Sequence, residues 1–365
     1  MILNNSQSLA LDSVFSSSAA ELVLSGFAGT GKTTLCEEII KQIENSVLLA
    51  PTWKAANILA VKTGKTTSSV HSCLYRDSFV DPSGALLFKD PELQSSKFYV
   101  VDEASMISKE VYRDFLEKLK GRYNSRVLWV GDPGQLPPVG ERESAIPFNE
   151  TTAVLSEIMR TSAESKIALC ANWVRQKGYS ALRFFERDTV RCLPSFPGGE
   201  YDVILTPFNH SRVKHNRRLR GGGGLKIGDK LIMQESTRNK SFINSETFEV
   251  SRFIWGGFWG KKKIYEVFAK DGRSIKLLDT FNGLSFQEVC KEEEIDRYDK
   301  KRKFYIAFYA NAISIHKAQG SEWDRVLVDL RGLNRSRWGR DEEFKTKLAY
   351  TAITRAKKDC TILID

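Results

Sequence analysis

Residues 26–33 read G-F-A-G-T-G-K-T and fill every defining position of the phosphate-binding motif G-x-x-x-x-G-K-[S/T]. A β-prone run at 21–25 precedes the motif, and a run with helical periodicity at 34–43 follows it. Strand, glycine-rich loop and helix form the context in which this motif binds a nucleoside triphosphate. Backbone amides of the loop and the positive end of the helix would hold the phosphates. The residues predicted to bind the nucleotide are Gly26, Gly29, Thr30, Gly31, Lys32, Thr33 and Thr34.

Two side chains of this motif carry its chemistry. Lys32 is expected to reach the β- and γ-phosphates, and the Thr33 hydroxyl is expected to ligate Mg²⁺. ATP and Mg²⁺ are therefore the predicted cofactors. The motif does not indicate what the energy of the nucleotide drives.

Length, charge and cysteine spacing limit the class of protein. A chain of 365 residues with 41% apolar residues indicates a globular protein of two or more domains. The net charge of +10 favours a polyanionic partner such as nucleic acid. The six cysteines include no C-x-x-C pair, and the first residues lack the layout of a signal peptide. We therefore expect a cytoplasmic protein with no membrane span and no zinc site.

The first part of the chain predicts an α/β domain at 1–150. Apolar runs at 47–50, 98–101 and 127–130 alternate with helical patterns at 54–62 and 109–119. Such alternation is typical of a parallel sheet with helices on both faces. The segment 75–97 interrupts it, and D-P-S-G at 81–84 is typical of a type I turn. We interpret this segment as a small inserted β-hairpin.

A second α/β domain is predicted at 151–365. Its helices are expected at 165–176 and 208–219, and its strands at 203–206, 305–313, 326–329 and 361–364. Between them, short β-prone runs separated by turns predict a small β-barrel insert at about 229–303, in which the charged segment 288–303 would be helical.

Two further segments follow predicted strands and carry polar side chains. Asp102 and Glu103 end one apolar run. There, the Asp102 carboxylate would hold Mg²⁺ and the Glu103 carboxylate would activate a water molecule. Gln135 lies in the glycine- and proline-rich stretch 130–140 and would sense the γ-phosphate, although that stretch by itself also fits a tight turn.

These segments, in this order, resemble the superfamily 1 helicases, and in particular their RecD-like and phage Dda-like branch. The closest matches to the motifs of that family are S-I-H-K-A-Q-G-S-E at 314–322 and L-A-Y-T-A-I-T-R-A at 348–356. Weaker matches are L-N-N-S-Q-S-L-A at 3–10, A-P-T-W-K-A-A at 50–56, V-H-S-C-L at 70–74 and L-S-E-I-M-R at 155–160.

The resemblance implies two tandem RecA-like domains with ATP bound between them. It implies that Gln7 reads adenine, that Gly320 contributes to the nucleotide site, and that Arg160 and Arg355 act as catalytic arginines. It implies that single-stranded DNA is contacted by Thr52, Trp53, His71, His316, Lys317 and Thr351. It also implies an SH3-like barrel and a strand-separating pin at 75–97 built from Phe79, Pro82 and Phe88, for which a plain surface loop is the alternative.

The activity that the resemblance implies is ATP-dependent translocation on single-stranded DNA, in the 5′ to 3′ direction, with unwinding of duplex at junctions. We expect a monomer that works with single-strand-binding proteins or with replication, recombination and repair proteins. Two alternatives stay open: an RNA helicase, since some viral RNA helicases share this motif order, and an ATP-driven motor or binding subunit of a recombination complex.

Basic and aromatic residues suggest two further DNA-binding surfaces. One is the cluster Arg212, Lys214, Arg217, Arg218 and Arg220, although charge runs on a helix are usually a solvated face. In the other, Trp255, Phe258 and Trp259 lie beside Lys261, Lys262 and Lys263. The aromatic rings would stack on DNA bases, or alternatively they pack in the core of the barrel. Trp53 likewise fits a stacking platform or a packed aromatic, and we expect any tower or hook on the barrel to be reduced.

Overall fold

The structure is a computed structural model, and it describes residues 3–75, 78–80, 86–88, 93, 97–157, 162–185, 190–221, 223–238, 241–283, 285–296 and 302–365. The chain forms two compact units. Unit 1 comprises Met1–Leu182 and Asp341–Thr354, and unit 2 comprises Arg183–Arg340 and Arg355–Asp365. These boundaries differ from the predicted domains 1–150 and 151–365. Helix packing explains the difference, because the helix at 162–177 packs against the helix at 342–353 within unit 1.

The strands are β1 Glu21–Gly26, β2 Ser46–Ala50, β3 Thr67–Ser69, β4 Ser78–Val80, β5 Leu86–Phe88, β6 Phe98–Val101, β7 Arg126–Gly131, β8 Ala153–Leu155, β9 Val190–Leu193, β10 Val203–Thr206, β11 Lys230–Met233, β12 Thr247–Trp259, β13 Lys262–Ala269, β14 Ser274–Leu278, β15 Ala307–Tyr309, β16 Ala312–Ser314, β17 Trp323–Asp329 and β18 Ala356–Leu363. The helices are α1 Asn5–Ser16, α2 Lys32–Gln42, α3 Trp53–Thr63, α4 Val70–Leu74, α5 Lys109–Lys120, α6 Ser162–Lys177, α7 Asn209–Arg220, α8 Phe286–Glu292, α9 Ile315–Ala318 and α10 Glu342–Ile353.

A six-stranded parallel sheet forms the centre of unit 1, in the order β3-β2-β6-β7-β1-β8. Successive residues of a strand point to opposite faces, so a strand buried on both sides is apolar throughout. In β1, Leu22 and Leu24 pack with Leu35 and Ile39 of α2 on one face. Val23 packs on the other face, in the core that contains Phe115 of α5. The predicted α/β architecture is confirmed here.

The segment 75–97 contains a pair of short strands. β4 and β5 pair antiparallel, with Ser78 opposite Phe88 and Val80 opposite Leu86. The predicted turn at 81–84, including Pro82, lies outside the described residues. The pairing agrees with a hairpin, and its function as a pin stays a prediction.

Unit 2 contains a five-stranded parallel sheet in the order β16-β10-β17-β18-β9. The single strand predicted at 305–313 was wrong, because β15 and β16 belong to different sheets. The Asn216 side chain of α7 explains the break. Its amide donates to the carbonyls of Tyr309 (3.0 Å) and Ala312 (2.9 Å) and accepts from the Ala312 N–H (2.9 Å), so it satisfies the backbone where the chain passes between the sheets.

Unit 2 also contains an antiparallel five-stranded sheet in the order β14-β13-β12-β11-β15. An isolated β-bridge pairs Leu277 of the edge strand β14 with Tyr305, which lies two residues before the other edge strand, β15. This bridge connects the two edges of the sheet. The core includes Phe242, Phe248 and Phe281. The predicted strands are confirmed, whereas SH3-like topology stays a prediction. The predicted helix at 288–303 is shorter than expected, since α8 ends at Glu292 and residues 297–301 are not described.

Among the described residues, none of the helices combines the length and the hydropathy that crossing a membrane requires.

Candidate functional site

The carboxyl ends of the parallel strands in unit 1 gather most of the predicted site residues. The glycine-rich loop follows β1, Asp102 follows β6, and Asp132 follows β7, and these three strands are adjacent in the sheet. Beyond β6, β2 leads to Thr52 and β3 leads to His71. In an open α/β sheet this edge is where ligands bind. The sheet order therefore places the predicted nucleotide residues beside one another and the predicted nucleic-acid residues at the far end of the same edge.

Glycines shape the loop between β1 and α2. Gly29 (φ 82°) and Gly31 (φ 79°) adopt the left-handed conformation that favours glycine. At Gly26, an added Cβ would lie 2.7 Å from Thr30 Oγ1 and 2.9 Å from Leu155 Cβ, closer than a side chain tolerates. The loop thus follows a path that requires glycine at all three positions. It ends at the N-terminus of α2, where backbone amides attract anions.

Lys32 lies against this loop. Its Nζ donates to the carbonyl oxygens of Gly26 (2.8 Å) and Phe27 (3.1 Å). These bonds hold the ammonium group over the loop. The predicted position of Lys32 beside the phosphates is compatible with this geometry.

Thr33 and Asp102, the two residues predicted to hold Mg²⁺, lie side by side. Thr33 Oγ1 donates to Asp102 Oδ2 at 3.0 Å, while Asp102 Oδ1 accepts from the Glu103 N–H at 2.8 Å. Among the described residues, no group of three or more His, Cys, Asp or Glu side chains could hold a metal ion. One hydroxyl and one carboxylate are the donor set with which Mg²⁺ sites of phosphate-binding proteins leave room for water and phosphate oxygens. The residues present therefore fit Mg²⁺.

Glu103 has an unusual backbone. Its φ of 54° and ψ of 34° lie in the left-handed region, which costs energy for a residue other than glycine. Strain of this kind persists where the surrounding structure imposes it, and it concentrates at functional sites. Among the described residues Asn124, Ser245 and Glu294 share this conformation, so it is compatible with the predicted role of Glu103 without establishing it.

Gln135 and Gln7 are both buried near the loop. Within the described part of the chain, Gln135 Oε1 is buried without a hydrogen-bond partner, which is a rare state for an amide oxygen. Gln7 caps α1 by accepting from the Asn4 N–H (3.1 Å), and its Nε2 donates to the carbonyl of Thr30 (3.4 Å). Gln7 thus connects the N-terminal helix to the phosphate loop, next to where a nucleotide base is predicted.

Three residues near the loop were not predicted from the sequence. The Tyr350 hydroxyl of α10 donates to Asp132 Oδ2 (2.6 Å) and accepts from the Ala28 N–H (2.9 Å). The guanidinium of Arg175, in α6, lies 3.5 Å from the centre of the Phe27 ring. Tyr350 lies within the motif match at 348–356 and Asp132 within the stretch 130–140, but neither pattern indicated that the two side chains meet, and no sequence signal marked Arg175.

Thr351 does not have the exposure that a DNA contact requires. Its side chain is fully buried, and its Oγ1 accepts from the Leu136 N–H at 2.9 Å. This contact corrects the prediction of a nucleic-acid contact at Thr351, because it assigns the hydroxyl to holding the loop after β7.

The other predicted nucleic-acid residues of unit 1 lie at helix starts. Thr52 is exposed and caps α3 by accepting from the Ala55 N–H (3.2 Å). Trp53 is the half-buried first residue of α3, and His71 is exposed on α4. Half-burial fits both interpretations of Trp53, as a stacking platform and as a packed aromatic.

In unit 2, the predicted residues His316 and Lys317 lie on α9, directly after β16. Lys317 Nζ donates to the Met233 carbonyl and to Asn244 Oδ1, both at 3.4 Å. Burial lowers the pKa of His316, which favours the neutral imidazole. Gly320 adopts φ 73° in the turn that follows. Arg355 is buried in unit 2, and Arg160 lies outside the described residues.

The basic cluster on α7 divides into two groups. Arg212 donates to the Gly283 carbonyl and packs over Phe308, and burial lowers its pKa to about 10. Arg220 makes two hydrogen bonds of 2.7 Å to Asp229. These two residues are structural, which corrects the interpretation of the whole cluster as a DNA surface. Lys214, Arg217 and Arg218 are exposed.

The β12–β13 hairpin keeps its aromatic residues at the surface. Trp255 is 64% exposed, Phe258 60% and Trp259 37%, so they do not form the core of the sheet. The hairpin is long, since β12 spans 13 residues. It therefore extends further than the compact insert that we expected.

Comparisons with known proteins found two matching family models and several similar proteins. A family model described as an AAA domain matches residues 2–194, and one described as a UvrD-like helicase C-terminal domain matches residues 309–363. The chain is 30% identical over 414 residues to the ATP-dependent DNA helicase dda of Enterobacteria phage T4, and the match covers 93% of each chain. It is 28% identical over 366 residues to the ATP-dependent RecD2 DNA helicase of Deinococcus radiodurans, covering 92% of this chain and 46% of that protein.

The fold is similar to that of solved Pif1 helicase structures. A solved structure of Pif1 helicases at forked double-stranded DNA is similar with a TM-score of 0.65 at 17% identity, over 100% of this chain and 92% of that one. The chain spans 37%, 46% and 36% of the length of three of the curated relatives that it matches.

Proposed function

Because the chain belongs to the superfamily 1 helicases of the RecD-, Pif1- and Dda-like group, we propose that it is an ATP-driven DNA helicase that moves 5′ to 3′ on single-stranded DNA. The observation that carries the proposal is the 3.0 Å contact between Thr33 and Asp102. This contact joins the phosphate loop to Asp102 at the carboxyl end of β6. Thr52 and His71 lie on the same edge of the sheet. An ATPase whose sheet edge also carries nucleic-acid contacts is the arrangement that a helicase needs.

ATP hydrolysis is assigned to residues of unit 1 and two arginines. Lys32 binds the β- and γ-phosphates, and Glu103 orients or deprotonates the attacking water. Gln135 senses the γ-phosphate, and its buried oxygen supports that role. Thr33 and Asp102 would hold Mg²⁺, which when bound neutralises phosphate charge. Arg355 and Arg160 supply positive charge to the transition state.

Single-stranded DNA is assigned to Thr52, Trp53 and His71 in unit 1 and to His316 and Lys317 in unit 2. The hairpin of β4 and β5 is the proposed pin, because a motor on one strand needs an obstacle that excludes the other strand. We further propose a monomer that acts in the cytoplasm with single-strand-binding or replication, recombination and repair proteins.

The test is strand displacement from duplexes that carry a single-stranded tail at one end. We expect ATP-dependent displacement from the substrate with a 5′ tail, and little from a matched substrate with a 3′ tail. A preference for the 3′ tail would reverse the proposed polarity, and no displacement from either would contradict helicase activity.

The same assay tests the pin when residues 79–88 are replaced by a short Gly-Ser bridge. This variant should keep DNA-stimulated ATP hydrolysis, which serves as its control, and lose displacement. If both activities survive, or both fall together, the segment is not the pin.

A further inference from the structure

Tyr350 lies where the phosphate loop, the loop after β7 and helix α10 meet within unit 1. Its hydroxyl is hydrogen-bonded to Ala28 in the phosphate loop and to Asp132 in the loop after β7. We propose that the Tyr350 hydroxyl is a positioning group that locks these two nucleotide-site loops to α10, so that ATP turnover depends on it. This inference rests on the proposed ATP hydrolysis. It adds Tyr350 to the residues on which that reaction depends.

The hydrogen bonds around Asp132 have a definite direction. Asp132 is fully buried, and its Oδ1 accepts from the Gly134 N–H at 2.9 Å. Its Oδ2 accepts from Tyr350, so both oxygens are bonded, as a buried carboxylate requires. Because a tyrosine hydroxyl both donates and accepts, its remaining lone pair receives the Ala28 N–H. Burial, and then the charge of Asp132, raise the pKa of Tyr350, which keeps the donated proton on the hydroxyl.

Both loops that Tyr350 joins hold residues of the reaction. Ala28 follows Phe27, whose carbonyl accepts from Lys32 Nζ. Asp132 accepts the Gln135 N–H on its backbone carbonyl (3.1 Å), so a shift of Asp132 moves Gln135. The Tyr350 ring leaves little space for such shifts, since a Cβ at Gly134 would lie 3.2 Å from Tyr350 Cε1. The hydroxyl thus fixes the position of Lys32 and of Gln135 relative to each other.

Arg175 holds the same loop from α6. Its guanidinium stacks on Phe27, and its Nε and Nη2 donate to Asn172 Oδ1 at 3.1 and 2.7 Å. Phe27 and Ala28 are therefore held by a side chain from each of the two helices that pack together in unit 1. Helix α10 ends at Ile353, two residues before Arg355. Tyr350 is consequently placed on the helix that leads to the proposed catalytic arginine.

The experiment compares Tyr350→Phe with Tyr112→Phe. Tyr112 is the matched control, because its hydroxyl also donates to a carboxylate of unit 1, Glu21 Oε1 at 2.7 Å, at the start of β1 rather than at its nucleotide end. We expect Tyr350→Phe to lower kcat for ATP hydrolysis about 10²-fold, as misplacement of catalytic groups does. Its KM for ATP and its affinity for ADP should change far less, and Tyr112→Phe should match the wild type in kcat.

Each outcome decides one point. If the wild-type protein does not hydrolyse ATP, the proposed function fails, whatever Tyr350 does. If the wild type hydrolyses ATP and Tyr350→Phe keeps its kcat, the positioning role is wrong. If both tyrosine variants lose kcat and unfold at lower urea concentration, the loss is one of stability, and the inference is also wrong. Should Tyr350→Phe not fold, Asp132→Asn tests the same bond from the other side, with the same loss of kcat expected.

Discussion

Replacing Lys32 with alanine should lower ATP hydrolysis by about 10³-fold or more, because the variant loses the ammonium group that stabilises charge on the phosphates. In the structure, Lys32 Nζ contacts the phosphate loop through two carbonyl oxygens, and Lys32 is not part of the buried core that β1 and α2 share. Circular dichroism and binding of single-stranded DNA should therefore stay close to those of the wild type. The measurement is steady-state ATP hydrolysis with saturating single-stranded DNA.

Lys41→Ala is the matched control for this variant. Lys41 lies on the same helix, α2, and pairs at the surface with Glu37, an interaction that contributes little to stability. Lys41→Ala should hydrolyse ATP as the wild type does. Hydrolysis by Lys32→Ala at a rate near that of Lys41→Ala would contradict the assignment of the phosphate loop.

Replacing Arg355 with alanine should lower kcat by about 10³–10⁵-fold, the range measured when arginine fingers are absent from phosphoryl transfer. Such an arginine stabilises charge that develops only in the transition state, so KM for ATP should change much less. Arg355→Lys should recover little, because an ammonium group lacks the planar fork of donors. Arg160→Ala should behave in the same way as Arg355→Ala.

Arg335→Ala serves as the control, since Arg335 is an exposed arginine of unit 2. Because Arg355 is buried, the thermal unfolding of both variants is measured alongside the kinetics. A raised KM with unchanged kcat in Arg355→Ala would assign this residue to nucleotide binding instead of catalysis.

Local sequence patterns predicted the glycine-dependent path of the phosphate loop and most of the first sheet. The phosphate loop is recognisable because its backbone path requires glycine at fixed spacing, and β6 and β7 are recognisable because strands buried on both faces are continuously apolar. These signals are contained within a few residues. They also placed Asp102 and Gln135 correctly after their strands, since ligand residues follow the carboxyl ends of parallel strands.

Features that depend on distant contacts could not be predicted in this way. The position of α10 in unit 1 depends on its packing against α6, more than 160 residues earlier in the chain. For the same reason the sequence did not predict the contact of Tyr350 with Asp132, nor the burial of Thr351. The charge pattern of α7 also could not separate exposed from buried arginines. Arg212 and Arg220 carry the same charge as their exposed neighbours, but they form hydrogen bonds within the fold.

The measurement that tests the central claim most directly is ATP hydrolysis by the purified chain alone, with single-stranded DNA, with RNA of equal length and sequence, and with no nucleic acid. We predict strong stimulation by DNA and much weaker stimulation by RNA. Stronger stimulation by RNA would assign the chain to the RNA helicases. Hydrolysis that no nucleic acid stimulates would contradict the account of a motor in which nucleotide turnover drives movement along a strand.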